Sequence, residues 1–282
     1  MHFENIINAR DLGGLRMRDG KVIRTGRLLR TGHLADATPG DVALLRDRYR
    51  LRRIFDFRSL SEATLQPDVE VPGARYVNLP TLDTEAERRS GNAVPAETWR
   101  NLPSHIVRLS FTDDFKHKAR DLYPSLVNSE FSQLQYAAFF DMILNTEEGA
   151  VLWHCSQGKD RTGIGAAFLL SALGADRETI VRDFDRSNET YAPLVNLLCR
   201  EATVLGAGEE ELDVIRAFMG VSTPNFCRTL DGIEQQYGSM EAYLKGPLAL
   251  TREDLRCLRE RYLEEPFLSE CMKDSDSASE VR

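Results

Sequence analysis

The chain has few cysteines and no long apolar run. Its five cysteines are an odd number at scattered spacings, which argues against a disulfide framework and against a zinc site. No apolar run approaches the roughly 20 residues of a membrane-spanning helix. The first residues lack the basic start and the apolar core of a signal peptide. These absences predict a protein of a reducing compartment, the cytoplasm, although export by a route without an N-terminal signal stays open.

Basic residues are outnumbered by acidic ones. The chain has 36 lysines and arginines against 44 aspartates and glutamates, which gives a net charge of −8. Such a chain has no general attraction for nucleic acid or for an anionic membrane, so any affinity for an acidic substrate must be local to one site. A length of 282 residues suffices for one large core. We expect one domain over residues 1–268 and a frayed, serine-rich tail over 269–282.

Predicted strands and helices alternate along the first two thirds of the chain. Asp19-Gly20 is typical of a hairpin turn, and Thr38-Pro39 is typical of a helix start, a cap followed by a first-turn proline. The alternation predicts an α/β fold with a mostly parallel central sheet flanked by helices, followed by a helical C-terminal part. Strands are predicted at 53–57, 74–79 and 149–153, and helices at 131–144, 164–173, 177–187, 191–204, 209–218, 224–237, 240–244 and 252–263.

The segment 81–122 does not follow this alternation. It is polar, contains Pro95 and Pro103, and has no clean strand pattern. A disordered loop and a helical insertion are both compatible with this composition. We favour the helical insertion, because the segment has apolar residues that can pack, namely Trp99, Leu102, Ile106, Leu109 and Phe111.

A run of ten residues, HCSQGKDRTG at 154–163, carries the clearest chemical signal. It places Cys155 six residues before Arg161, across a loop that contains a glycine. An apolar segment typical of a buried strand precedes the loop, and small and apolar residues typical of a helix follow it. A strand, a tight loop and a helix start form an anion cradle, because the loop N–H groups converge on the point that the positive end of the helix faces.

The residue types in this run suit phosphoryl transfer. A free cysteine loses its proton only near about pH 8.5, but a helix N-terminus and an adjacent arginine favour the thiolate. Arg161 offers two parallel donors that match two phosphate oxygens, which lysine cannot do. Cys155 would attack phosphorus and form a thiophosphate ester that water then hydrolyses. No metal or other cofactor is required, because the loop amides and Arg161 neutralise the developing charge.

The match is more specific than the cysteine–arginine spacing alone. The other four cysteines have no arginine six residues further on, and lysine is scarce relative to arginine, so Lys159 does not follow from composition. We expect His154 to orient the loop and Thr162 to cap the helix, to stabilise the thiolate, or to do both. The residues predicted to bind the phosphate are Ser156, Gln157, Gly158, Lys159, Asp160 and Arg161.

The ten-residue run resembles the signature of the cysteine-dependent protein tyrosine phosphatase superfamily, in the form HC-x-x-GKDRTG of a bacterial branch. The resemblance extends from about Asn8 to Leu263, and its departures at Ala9, Phe57 and Thr31 do not touch the proposed chemistry. The other matching segments are 8–14 (NARDLGG, against N-F-R-D-L-G-G), 27–34 (RLLRTGHL, against R-S-G-x-L), 54–59 (IFDFRS, against D-L-R-S) and 237–244 (YGSMEAYL, against a C-terminal helical pair).

The resemblance implies a tyrosine-phosphatase-like fold in which the insertion at 81–122 is a lid over the active site. It also implies that Lys159 and Asp160 lie at the site. The positive charge of Lys159 could accept a second phosphate, such as one on an inositol ring. Alternatively, Lys159 and Asp160 pair with each other and stiffen the loop.

The leaving group needs a proton, which a carboxylic acid normally supplies. We rank Asp56 first, because it ends a predicted strand and matches the aspartate of the D-L-R-S segment. Asp56 could instead be a structural partner of Arg58 or Arg10. Asp160 ranks second, because it is closer in sequence to the nucleophile. The third choice is a pair in the insertion, Asp113 and Asp114.

The leading hypothesis is a phosphatase that acts on phosphotyrosine in a phosphorylated protein. The first alternative is a phosphoinositide phosphatase that uses the same site, on the strength of Lys159. Less favoured are a phosphate-binding module without turnover, which needs a missing nucleophile or arginine, and a thiol redox enzyme, which needs a resolving cysteine near Cys155. We expect no nucleic-acid partner, no bound metal and no transmembrane segment. The oligomeric state is left open.

Overall fold

The structure is a computed structural model that describes residues 2–84, 101–146 and 148–266. In chain order its strands are β1 (Arg10–Asp11), β2 (Val22–Ile23), β3 (Leu28–Thr31), β4 (Leu51–Asp56), β5 (Arg75–Asn78), β6 (Ala150–His154) and β7 (Leu263–Glu264). Five of them form the central sheet in the order β1-β3-β6-β4-β5, in which only β1 runs antiparallel to its neighbour. The predicted mostly parallel sheet is therefore confirmed.

Helices flank this sheet and form most of the C-terminal half of the chain. The first of them is continued by a π-helical turn (Leu44–Arg48). Within the described residues the α-helices are α1 (Pro39–Ala43), α2 (Leu60–Leu65), α3 (Leu102–Leu109), α4 (Asp113–Asn128), α5 (Glu130–Leu144), α6 (Asp160–Leu173), α7 (Arg177–Asp185), α8 (Ser187–Val204), α9 (Glu209–Met219), α10 (Thr223–Tyr237), α11 (Met240–Lys245) and α12 (Arg252–Tyr262).

Strand β6 is the centre of the sheet, and all five of its residues are buried. It pairs with β3 on one side and β4 on the other. Because successive side chains point to opposite faces of a strand, Trp153 faces the large core around α5 and α6, and Leu152 faces a smaller core with Ile54. Both faces are covered, as expected for a parallel sheet, and the loop that follows β6 therefore starts from a fixed strand end.

Two helices begin earlier than the sequence predicts. Helix α6 starts at Asp160 rather than at 164, because the Gly163 amide already bonds the Lys159 carbonyl. Helix α8 starts at Ser187 rather than at 191, because the single residue between it and α7, Arg186, keeps a helical conformation (φ −53°, ψ −22°). The first turns of both helices consist of polar residues, so the hydrophobic pattern does not indicate where these helices begin.

The described part of the insertion is helical, as predicted. Helices α3 and α4 pack with α8 and α9 around a second apolar cluster, which includes Ile106, Phe115, Ala202 and Ile215. Residues 85–100, with Pro95 and Trp99, lie outside the described residues. The lid role of the insertion stays a prediction.

The hairpin turn at Asp19-Gly20 is present: the Met17 amide bonds the Lys21 carbonyl, and Gly20 has a positive φ of 90°. Strand β2, which leaves this hairpin, pairs with β7 at the other end of the chain, a contact that no local pattern predicts. In the described ranges, no helix is both long and apolar enough to cross a membrane. The tail at 269–282 lies outside the described residues.

Candidate active site

The loop between β6 and α6 is held from outside by its carbonyl groups. Each carbonyl from residue 155 to residue 158 accepts a hydrogen bond from a donor behind the loop, and most of these donors are side chains. The bonds run from His154 Nδ1 to Cys155 (3.1 Å), from the His33 amide to Ser156 (3.2 Å), from the Tyr191 hydroxyl to Gln157 (2.7 Å), and from Asn8 Nδ2 and Arg30 Nη2 to Gly158 (2.9 Å each).

These bonds determine where the loop amides point. In a trans peptide the C=O and the N–H of one unit point in opposite directions. Since the carbonyls of Cys155 through Gly158 face outward, the N–H groups of Ser156 through Lys159 face the opposite way, toward the inside of the loop. Main-chain donors that face one side of a loop, with the N-terminus of α6 beside them, are suited to an anion.

Gly158 allows the loop to pass close to strand β3. Its φ is +66°, and a Cβ at this position would lie 2.1 Å from the Thr31 carbonyl oxygen. No side chain fits such a gap, and L-residues rarely adopt this φ. The tight turn of the loop therefore depends on this glycine.

Cys155 lies at the bottom of the loop and is only 2% exposed. Burial raises the pKa of its thiol, but the charge of Arg161 and the adjacent Thr162 hydroxyl and amide lower it, so the pKa lies below the usual value. The Thr162 hydroxyl is buried and has no other hydrogen-bond partner in the described part of the chain. This environment favours the thiolate, the nucleophilic form.

Arg161 is clamped by a residue that sequence reasoning missed. Glu62 accepts from Arg161 Nη1 (2.7 Å) and Nη2 (2.8 Å), and the Ser156 hydroxyl donates to the same carboxylate (2.7 Å). Burial alone would raise the pKa of Glu62, but Arg161 holds it well below its usual range. A guanidinium has five N–H donors, so the edge that carries Nε stays available for a phosphate oxygen.

The sequence indicates another role for Glu62, in the cap of a helix. Ser59 and Glu62 form a capping box at the start of α2, in which the Ser59 amide donates to Glu62 (2.9 Å). One carboxylate therefore caps a helix and holds Arg161 at the same time. Only the three-dimensional approach of α2 to the loop shows the second role.

Lys159 and Asp160 contact each other. Lys159 Nζ lies 2.6 Å from Asp160 Oδ2 and donates to the Gly220 carbonyl (2.8 Å), and the lysine side chain is only 4% exposed. This arrangement matches the alternative in which the two residues pair and stiffen the loop. The other oxygen of Asp160 accepts from the Tyr123 hydroxyl (2.9 Å), and its side chain remains 15% exposed.

Asp56, the first choice for the general acid, is placed differently from that expectation. Its side chain is fully buried, both of its oxygens accept from Arg58, and Tyr76 donates to it as well (2.7 Å). Because the side chain is buried and both of its oxygens are engaged, Asp56 is not accessible to a leaving group. Asp56 is in contact with Arg58, as in the alternative that the sequence left open.

Asp113 and Asp114, the third choice, are remote from the loop. They lie exposed in the first turn of α4, where Asp114 pairs with Lys118. Tyr123, the residue of α4 that contacts Asp160, is ten residues further along the helix, a rise of about 15 Å. Neither aspartate can donate a proton at Cys155 from this position.

His154 lies beneath the loop among buried charges. Its Nε2 is 2.9 Å from Asp68 Oδ2, and its Nδ1 is 3.7 Å from Asp56. Burial opposes protonation, but the two carboxylates raise the pKa of His154 above its usual value. Asp56, Asp68 and His154 are also close enough to hold a metal ion. Arg58, however, donates to both carboxylates and already supplies the positive charge that an ion would bring.

The sequence is similar to that of several known proteins. A sequence model of the tyrosine phosphatase family matches residues 1–264. The chain is 28% identical to a candidate tyrosine-protein phosphatase of Cupriavidus necator, over 93% of this chain and 87% of that protein. It is 26% identical to the triple specificity protein phosphatase PtpB of Mycobacterium tuberculosis, over 70% and 77%, and 32% identical to a tyrosine-protein phosphatase of Nostoc commune, over 46% and 45%. Since the family model spans nearly the whole chain and the loop carries the matching residues, this protein belongs to the tyrosine phosphatase family.

Proposed function

We propose that this protein hydrolyses phosphomonoesters, with phosphotyrosine in proteins as the main substrate, through a cysteinyl-phosphate intermediate. One observation carries the proposal. The Cys155 sulfur, with a lowered thiol pKa, lies in a ring of inward-facing amides beside the guanidinium of Arg161. A phosphate dianion fits this ring, with its oxygens on the amides and on the free edge of Arg161. The family membership and the names of the relatives support the same activity.

The reaction has two steps. In the first, a sulfur electron pair of Cys155 attacks phosphorus, and the bond from phosphorus to the ester oxygen breaks. The departing oxygen takes a proton from a carboxylic acid. In the second step, water attacks phosphorus, gives its proton to the same carboxylate, and displaces the thiolate. Inorganic phosphate is released and the enzyme returns to its starting state.

We assign the proton transfer to Asp160. It lies in the first turn of α6, directly after the loop, and its carboxyl is partly exposed. Tyr123 and Lys159 orient the two oxygens. Of the three choices that the sequence offered, Asp160 alone combines nearness to Cys155 with access to a substrate.

Inositol phospholipids are the second candidate substrate. The sequence suggested these substrates because of the positive charge of Lys159. In the structure, the ammonium group of this lysine donates to Asp160 and to the Gly220 carbonyl. An engaged ammonium favours phosphotyrosine over a substrate with a second phosphate. A phosphate-binding module without turnover is disfavoured, because both Cys155 and Arg161 are in place. A catalytic thiolate needs reducing surroundings, so we also propose a cytoplasmic location.

A panel of phosphorylated peptides and inositol phospholipids, assayed with and without a chelator, tests this proposal. We expect phosphotyrosine peptides to be turned over fastest, with no effect of the chelator. Cys155→Ser should reduce turnover at least about a thousandfold without unfolding the protein. Retained turnover in this variant would end the proposed mechanism, and faster turnover of lipids that falls in Lys159→Ala would transfer the assignment to phosphoinositides.

A further inference from the structure

Two buried arginines lie behind the phosphate loop and share one carboxylate. Arg10 Nε is 2.9 Å from Asp183 Oδ1, and Arg30 Nη1 is 2.5 Å from Asp183 Oδ2. Arg10 is 6% exposed, Arg30 is fully buried, and the Asp183 side chain is 4% exposed. Arg10 comes from β1 in the N-terminal motif, Arg30 from β3 and Asp183 from α7.

Both arginines are also connected to the loop, Arg30 by direct hydrogen bonds to loop carbonyls and Arg10 through the side chain of Asn8. Arg30 Nη2 donates to the carbonyls of Gly158 (2.9 Å) and Lys159 (3.3 Å). Arg10 Nη1 donates to Asn8 Oδ1 (2.7 Å), and the amide of Asn8 in turn donates to the Gly158 carbonyl. The two cations thus hold the carbonyl side of peptide units whose N–H groups point into the loop.

The other cations close to the loop have carboxylate partners of their own. Arg161 pairs with Glu62 and Lys159 pairs with Asp160. Beneath the loop, Arg58 and His154 both contact the carboxylates of Asp56 and Asp68. The two arginines face a single carboxylate, so among the described contacts they leave one buried positive charge without a partner. Consistent with crowding of cations, burial and then Arg30 lower the pKa of Arg10 to about 10.

We propose that Arg10 and Arg30 are positioning residues for the phosphatase reaction, which hold the loop amides inward and supply the unpaired positive charge that the Cys155 thiolate or a bound phosphate neutralises. The inference rests on the proposed function. Arg161 alone does not provide this net charge, because Glu62 cancels it. The excess charge acts through the loop dipoles that it fixes, at a site where low exposure limits screening by water.

Charge substitutions test the proposal with two measurements that require no turnover. The first is the pH midpoint of Cys155 alkylation by iodoacetamide, and the second is the dissociation constant of inorganic phosphate in a Cys155→Ser background. We expect Arg30→Gln to raise the alkylation midpoint by about one pH unit and to weaken phosphate binding about tenfold, as for loss of one nearby charge. Arg30→Lys, which keeps the charge, should have an alkylation midpoint close to that of the wild type. Arg182→Gln, on the exposed side of α7, is the matched control and should change neither.

Asp183→Asn separates an electrostatic role from a merely structural one. It raises the excess charge, so the midpoint should move down, opposite to Arg30→Gln. The proposal is wrong if both variants move the midpoint in the same direction, or if Arg30→Gln leaves the midpoint and the phosphate affinity unchanged. If Arg30→Gln does not fold, Arg10→Gln takes its place with the same expected signs. Lack of phosphatase turnover by the wild type would overturn the proposed function without affecting these two measurements.

Discussion

In the proposed mechanism, Arg161 holds two anions at once. Glu62 occupies one edge of its guanidinium, and the other edge is the one that we propose for the substrate phosphate. Fixing the guanidinium in advance removes the entropy cost of ordering a long side chain at the moment of reaction. The nearness of Cys155 and Arg161 could be predicted from sequence, because it depends on local spacing within one loop. The role of Glu62 could not, because its partner lies 99 positions away in the chain.

Loss of the Glu62 charge should impair catalysis more than folding. We expect Glu62→Gln to lower kcat/KM about a hundredfold, because a small displacement of a catalytic group has an effect of this size. Steady-state kinetics with a phosphotyrosine peptide measure this effect. Glu178→Gln, which removes an exposed partner of Arg182, is the control and should leave kcat/KM unchanged. Equal kinetics in Glu62→Gln and the wild type would show that Arg161 does not depend on this clamp.

The two aspartates that competed for the role of general acid should respond differently to the same substitution. In Asp160→Asn, turnover of aryl phosphates should depend more steeply on the pKa of the leaving group, because poor leaving groups lose their proton donor. In Asp56→Asn this dependence should stay as in the wild type, while the free energy of unfolding falls by about 3 kcal/mol through loss of the buried pair with Arg58. A steeper dependence in Asp56→Asn alone would return the role to Asp56.

At the scale of elements, the strand–loop–helix unit of β6 and α6 is the part that the sequence predicts best. Its apolar strand, its glycine and its small-residue helix are all local signals. The predicted start of α6 was too late, because the residues that open this helix, Asp160, Arg161 and Thr162, are polar and interrupt the apolar pattern. The side chains that donate hydrogen bonds to the loop carbonyls were not predictable, since Asn8, Arg30 and Tyr191 come from other parts of the chain.

Alanine should have opposite effects at two glycines, because one of them lies where the loop passes close to β3 and the other lies in open space. Gly158→Ala places a Cβ 2.1 Å from the Thr31 carbonyl oxygen at a positive φ, so we expect loss of phosphate binding and a destabilisation of about 1–3 kcal/mol. Gly232 lies in the exposed middle of α10 with open space around its Cβ position. Gly232→Ala should stabilise the protein by about 1 kcal/mol and leave turnover unchanged. Urea unfolding and phosphate titration of both variants check this, and normal phosphate binding by Gly158→Ala would contradict it.

At the scale of the whole molecule, one sheet with two apolar faces joins a helical layer that carries its own apolar cluster. The alternation of strands and helices predicted this class of fold, because the hydrophobic pattern of each element is local. The pairing of β2 with β7 and the packing of α3 and α4 on α8 and α9 join distant segments, which one sequence does not reveal. Buried ion pairs near the sheet end tie these parts together and make their stability depend on pH.

Acid should unfold the protein through these pairs. The pKa values of Glu62, Asp68 and Asp183 lie below their ordinary 4.5, 3.8 and 3.8, because the neighbouring cations outweigh burial. The unfolded chain therefore binds more protons at acid pH. The contribution of these carboxylates to the free energy of unfolding is complete above about pH 5 and is lost as pH falls, by about 2 kcal/mol or more down to pH 2.

His154 has the opposite effect, because its pKa is raised. Its contribution to the free energy of unfolding is present below the ordinary pKa of 6.5 and is lost as pH rises through the pKa of the folded state. Urea titrations at a series of pH values measure both limbs, and Glu62→Gln should flatten the acid limb.

The covalent intermediate is the most direct test of the mechanism. Wild-type protein mixed with a phosphotyrosine peptide and quenched in acid within milliseconds should carry one phosphate on the peptide that contains Cys155, as read by mass spectrometry. The same quench of Cys155→Ser should show no phosphate at this position. Phosphate found on another residue, or rapid turnover with Cys155 unmodified at every time point, would contradict the assignment of the nucleophile.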